Sequence, residues 1–120
     1  MDGSKKAALL AAGIDVDSAL ERFLGNEALL ERFLKKFLDD PNHARLTAAF
    51  AAGDREGALT ASHTMKGVCG NLSMHVLFDL LTKQVQALRA EDWAGAEALL
   101  PAVDQAYDEA AAAIRRSVDG

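Results

Sequence analysis

Asp54-Arg55-Glu56-Gly57-Ala58-Leu59-Thr60-Ala61-Ser62-His63-Thr64-Met65-Lys66-Gly67-Val68-Cys69-Gly70-Asn71-Leu72-Ser73 is the stretch whose reading decides the fold. Gly53 precedes it, and Asp54 is of the residue type that caps a helix start by accepting from a first-turn amide. Projected at about 100° per residue with His63 at zero, Ala58, Ala61, Met65, Val68 and Leu72 fall within about 45° of the opposite side. That stripe is a core face. On the His63 side stand Gly70 at about −20°, Gly67 at about +40°, Leu59 at about −40° and Lys66 at about −60°. The pattern predicts an imidazole turned away from the core, with a lysine one turn on and two glycines beside it.

A glycine inside a helix is less favourable than alanine by about 1 kcal/mol, so two on one face need a reason. The plain one is that the helix ends near Gly67 or Gly70, since glycine is a favoured C-terminal residue. The apolar period continues to Leu72, which argues against an early stop. The other reason is steric. A face kept low lets a second molecule bring its backbone close to His63, and Lys66 would then sit beside any anion carried on the ring.

His63-Thr64-Met65-Lys66-Gly67 with Gly70 following resembles the signature of the histidine-containing phosphotransfer (HPt) domain of multistep bacterial phosphorelays. The family pattern reads His-x-(large apolar)-Lys-Gly, then small residues, Asn, an aliphatic residue and a further Gly. Met65 takes the apolar place, Asn71-Leu72 follow, and Ser73 stands where the last Gly is usual. The flanks share the resemblance: Gly13-Ile14-Asp15, the Gly25-Asn26 turn before an apolar helix, and Leu77 to Ala90 ahead of the Glu91-Asp92 turn. Val85 departs from it, near where the family often has Glu. The resemblance spans residues 13–117.

The resemblance implies a phosphorelay intermediate. His63 would accept a phosphoryl group from a receiver-domain aspartate and pass it to another receiver, and Lys66 would stabilise the charge. The implied partners are response-regulator receiver domains and a hybrid sensor histidine kinase. The receiver supplies the acid pocket and Mg²⁺, so the chain needs no cofactor of its own and is a phosphohistidine carrier rather than an enzyme. The chemistry suits an imidazole, which is nucleophilic towards phosphorus near neutral pH and a good leaving group afterwards. On steric grounds Leu59, Gly67 and Gly70 form the centre of the partner-binding face, with exposed apolar residues of the 27–39 helix at its edge. The competing class is a helical interaction module without phosphochemistry.

Composition sets the bounds. The 120 residues, 50% hydrophobic, suit one domain over 1–120 with a core that needs no staples. Alanine is abundant, aromatics make up 6%, there are two prolines, and no run alternates like a strand, so the class is all-α. A net charge of −5 argues against a nucleic-acid partner. No polybasic or amphipathic stretch addresses a membrane, and no apolar run approaches the ~20 residues of a span. The single Cys69 excludes an internal disulfide and fits a reducing, cytoplasmic setting. Lys5-Lys6 ahead of Ala7 to Ala12 is too short an apolar run, without a cleavage-like segment, for a signal peptide. No His-Glu-x-x-His, paired-cysteine, Walker or dinucleotide pattern is present, so no metal site is expected. The expected state is a monomer.

The chain then reads in order. Residues 1–4 are expected to be loose, and residues 1–12 to form an N-terminal arm or short helix. Asp15 or Asp17 caps a brief helix through Leu24. Asn26 caps a stronger one from Glu27 to about residue 39, whose Leu29, Leu30, Phe33, Leu34, Phe37 and Leu38 cover an arc of about 180°, wider than a one-sided helix needs. Two neighbours cover that arc, or part of it stays exposed as a binding patch. Asp39-Asp40-Pro41 stops it, Asn42 caps the next, and His43 falls in the loop. Cys69 is expected to be half-buried, and His43 and His75 to be solvated bystanders. The 76–89 helix carries Leu77, Leu80, Leu81 and Leu88 with Gln84 as a polar intruder. Pro101 should kink or split the last helix near Leu100. Short connections between long amphipathic segments favour an antiparallel up-and-down four-helix bundle over residues 26–118, with short N-terminal helical additions.

Overall fold

The computed structural model describes residues 1–118. They form α1 (Gly3–Ala11), α2 (Val16–Arg22), α3 (Glu27–Leu38), α4 (Asn42–Ala52), α5 (Arg55–Asn71), α6 (His75–Arg89), α7 (Trp93–Ala98) and α8 (Leu100–Val118). Among the described residues the sole strand-like pairing is an isolated antiparallel bridge between Ile14 and Met74. The class is all-α, as composition and periodicity indicate.

Local chemistry sets most of the helix starts. The side chains of Asp2, Asp15, Asn26, Asp54 and Asp92 accept from the amides of Lys5, Ser18, Leu29, Gly57 and Gly95, satisfying first-turn donors that have no helical partner. Of the two candidates for α2, Asp15 is the cap, and Asp17 pairs with Lys6 instead. α4 departs from expectation. Asn42 is its first residue rather than its cap, and Asp40 Oδ1 accepts from both the Asn42 amide and Nδ2 at 2.8 Å. The cap position is Pro41, whose side chain accepts nothing, and Asp40, biased away from helix by the proline that follows it, supplies the acceptor from one residue further back. Gly53 ends α4 in the left-handed region at φ +66, which a side chain would strain.

The helices pack around one cluster that includes Leu30, Leu34 and Phe37 of α3, Leu46 and Phe50 of α4, Met65 of α5, Leu77 and Leu81 of α6, and Ile114 of α8. Two-residue and three-residue links return α5 alongside α4 and α6 alongside α5. α3 and α1 both lie on α8, and α6 also meets α7 and α8. The wide apolar arc of α3 is divided between the two explanations. Leu30, Leu34 and Phe37 are buried, whereas Phe33 is 40% exposed and leans on Phe23 with ring centroids 5.3 Å apart.

Several expectations are corrected. Residues 1–4 are not loose: α1 begins at Gly3 on the Asp2 cap, and Met1 packs against the core. α2 stops at Arg22, and Leu24 lies beyond it at φ +54, 94% exposed. His43 is in the first turn of α4, not in a loop, and it is no bystander. Its Nε2 lies 2.7 Å from Asp104 Oδ1, and its ring stacks on Tyr107 at 3.9 Å, joining α4 to α8. Pro101 splits the last segment, with Leu99 as the junction. The proline falls in the first turn of α8, where a missing amide removes no helical bond.

The N-terminal segment meets the end of α5. The Asp15 amide donates to Ser73 O at 3.0 Å, and the hydroxyls of Ser18 and Ser73 lie 2.9 Å apart. Ser73 is buried and holds φ +52 in the turn between α5 and α6. That left-handed backbone gives the physical reason for glycine at this place in the family pattern.

Candidate functional site

α5 supplies the site because its two faces differ. Ala58, Ala61, Met65 and Cys69 are buried along one side, and Leu72 continues the row past the helix end. Val68, expected among them, is only half-buried. Cys69 is fully buried rather than half, and burial, with a smaller contribution from the Asp40 charge, pushes its thiol up to about 12. His63 occupies the opposite side, exposed, near the middle of the helix.

The three histidines are not alike. His43 is held by Asp104 and Tyr107, and His75 Nε2 lies 3.6 Å from Asp15 Oδ2. Among the described residues His63 alone of the three has no hydrogen-bond, ion-pair or ring partner. Both ring nitrogens are therefore uncommitted to any protein group among the described residues.

The two glycines beside it have different surroundings. A methyl group added at Gly67 would meet nothing within 4 Å. One added at Gly70 would meet the Phe78 ring carbons at 3.2 and 3.3 Å. Gly67 is open to solvent, whereas Gly70 makes room for a side chain of α6. Lys66 is half-buried, its Nζ 5.8 Å from the centroid of the same Phe78 ring. Leu59, also half-buried, shares a shallow groove with Leu88 and Trp93.

On the other flank, Val68 and Leu72 line an open cavity of about 690 Å³ together with Phe23, Phe33, Phe37, Arg22 and Lys36. Sequence reasoning placed His63, Lys66, Leu59, Gly67 and Gly70 on one helix face, and α5 carries them in a single run of helix. It missed Phe78. The available signal was Gly70 itself, since a glycine within a packed helix invites a large neighbour, and Phe78 is the only Phe, Tyr or Trp on α6. Among the described residues no three or more His, Cys, Asp and Glu side chains gather where they could hold a metal ion.

Residues 28–113 match the family model described as Hpt domain. The chain belongs to the Hpt domain family. The matched span takes in α4 to α7 entirely, including His63 and Lys66, and leaves α1 and α2 outside. No curated protein and no solved structure matched the chain. Membership places this Hpt domain in histidine phosphotransfer within two-component or phosphorelay signalling, as a carrier rather than a classical enzyme. Hpt domains work with receiver domains and kinases. No helix among the described residues is long and apolar enough to cross a membrane.

Proposed function

We propose that His63 is the phosphoacceptor of this Hpt domain. It takes the phosphoryl group from a receiver-domain aspartyl phosphate and returns it to the aspartate of another receiver, in a relay fed by a hybrid sensor histidine kinase. The observation that carries this reading is the isolation of His63: an exposed imidazole without a protein partner, beside a glycine over which nothing stands.

In the forward step the Nε2 lone pair forms the N–P bond while the P–O bond to aspartate breaks. The bonding electrons leave with the carboxylate, and the ring's proton resides on Nδ1. The reverse step exchanges these roles. Lys66, one turn on, places a positive charge where the phosphoryl oxygens stand. Mg²⁺ and the acidic residues that bind it belong to the receiver. The approaching partner covers Leu59 and Gly67, passes over Gly70 where Phe78 lies, and meets the exposed ring of Phe33 at its edge. A displacement of about 1 Å at the reacting atoms reduces rate on the order of a hundredfold, so an open approach at residue 67 matters.

The helices are read as a four-helix up-and-down bundle in which α3 and α4 form one interrupted member, joined by α5, α6 and α8. The chain is read as one domain that acts as a monomer in the cytoplasm. The test is incubation of wild type and His63→Gln with a phosphorylated receiver. Label is expected on the wild type alone. Label accumulating on the Gln variant would place the acceptor elsewhere, and a wild type that accepts none from any receiver would make this a helical interaction module.

A further inference from the structure

We infer that Phe78 is a positioning residue for the transfer: its ring, seated over Gly70, holds the Lys66 ammonium at the α5–α6 seam beside His63. The inference rests on the reading of His63 as acceptor and goes beyond it by assigning a role to a residue on the neighbouring helix.

Two independent observations converge on the Phe78 ring. Lys66 Nζ lies 5.8 Å from its centroid, within the range where an aromatic face attracts a cation. A β-carbon at residue 70 would crowd two of its ring carbons at 3.2 and 3.3 Å, so glycine there lets the ring keep its seat without giving way. Phe78 enters α6 in its first turn, its amide bonded to Met74 O at 2.8 Å, directly after the buried Ser73 turn. The backbone that carries the ring is therefore fixed by the same turn that ends α5.

The kind of contact matters as much as its place. A free lysine has four rotatable side-chain bonds, and ordering them when an anion arrives is entropically costly. A carboxylate could order the chain but would neutralise the charge that the phosphoryl group needs. Among the described residues no carboxylate pairs with Lys66. An aromatic face orders the stem and head while leaving the full positive charge available. Gly70, read from sequence as space for a partner, thus serves the charge beside the histidine.

The test uses Phe78→Leu, which keeps an apolar side chain, Phe78→Tyr, which keeps the ring, and each in combination with Lys66→Ala. In the wild type the Lys66 ε-methylene protons are expected upfield by the ring current, in Phe78→Tyr as well, and at ordinary positions in Phe78→Leu. Transfer from a phosphorylated receiver should slow about twofold to fivefold in Phe78→Leu, the loss expected of a half-exposed contact of this kind. It should stay near wild type in Phe78→Tyr. In the Lys66→Ala background, Phe78→Leu should make no further difference. An equal slowing with and without Lys66 would mean that Phe78 acts through packing alone, and would overturn the inference. So would a missing ring-current shift in the wild type. A wild type that takes no label would overturn the acceptor reading and the inference together, whereas the NMR shift reports on the Lys66–Phe78 contact alone.

Discussion

Ser62 Oγ donates a 2.9 Å hydrogen bond to Gln84 Oε1, and neither side chain reaches solvent. Gln84 Nε2 in turn donates to Ala96 O at 3.2 Å, so one polar chain joins α5, α6 and α7 directly behind the acceptor helix. Among the described residues no buried side-chain polar atom is left without a partner. Ser62→Ala is expected to destabilise by about 1–3 kcal/mol, because it leaves the Gln84 carbonyl unpaired in the interior. Ser62→Ala combined with Gln84→Met removes both halves of the bond and should be less destabilising than the two single changes added together. Urea denaturation of the four proteins checks this, and additive losses would show that the pair is not energetically coupled.

Position 73 offers a contrast between strain and bonding. Ser73 holds φ +52, and its hydroxyl meets Ser18 at 2.9 Å. Ser73→Gly relieves the left-handed strain while losing that bond, so it should alter stability by less than about 1 kcal/mol. Ser73→Ala loses the bond and keeps the strain, and should be the less stable of the two by about 1 kcal/mol. Equal denaturation midpoints for Gly and Ala would show that the strain has no measurable weight.

The two glycines of the acceptor face are predicted to part company. Gly67→Ala meets open space and should stabilise by up to about 1 kcal/mol through helix propensity. Gly70→Ala presses on Phe78, and should fall below Gly67→Ala by about 1–2 kcal/mol. Gly67→Gln should keep its helical circular dichroism yet lose most transfer with a receiver. Full transfer by Gly67→Gln would mean that the partner approaches from another side.

The Cys69 thiol carries a pH prediction. Its folded value, pushed up to about 12 by burial first and the Asp40 charge second, lies above the ordinary 9.0. Between those values the unfolded chain has released its proton and the folded chain has not. This contribution to stability is therefore complete below pH 9 and declines as pH rises, with a limiting slope of about 1.4 kcal/mol per pH unit. Cys69→Ala should show a shallower decline in denaturation midpoints over that alkaline range. A thiol reagent at pH 8 should leave the native protein unlabelled and modify it once urea is added. Rapid native labelling would contradict the burial of the side chain.

The helical class, the caps at Asn26 and Asp54, and the exposed place of His63 were legible because each depends on spacing within one segment. The misreadings have a common cause. The Phe78 ring beside Gly70 went unseen because the projection of α5 contains no α6, and Phe78 enters only once the helices pack. His43 looked idle because Asp104 and Tyr107 come from the far end of the chain. Asn42 looked like a cap by type, but Asp40, freed by Pro41, takes the amide instead. Ser73 stands where the family pattern has glycine, and only the backbone angle shows what the position asks of it.

The bridge between Ile14 and Met74, with the Asp15–Ser73 backbone bond and the Ser18–Ser73 pair, bears on where this domain can be cut. The family match begins at residue 28, downstream of all three contacts on the N-terminal side. A fragment trimmed to the matched span would keep the acceptor helix but lose the clasp on its last turn, uncovering Ser73 and Met74, which are 1% exposed in the intact chain. Amide hydrogen exchange in the 69–74 segment would then quicken while the middle of the helix, around His63, kept more of its protection. The homologous core and the packed unit are thus different lengths of chain, since Leu9, Ile14 and Val16 lie in one buried cluster with the matched helices.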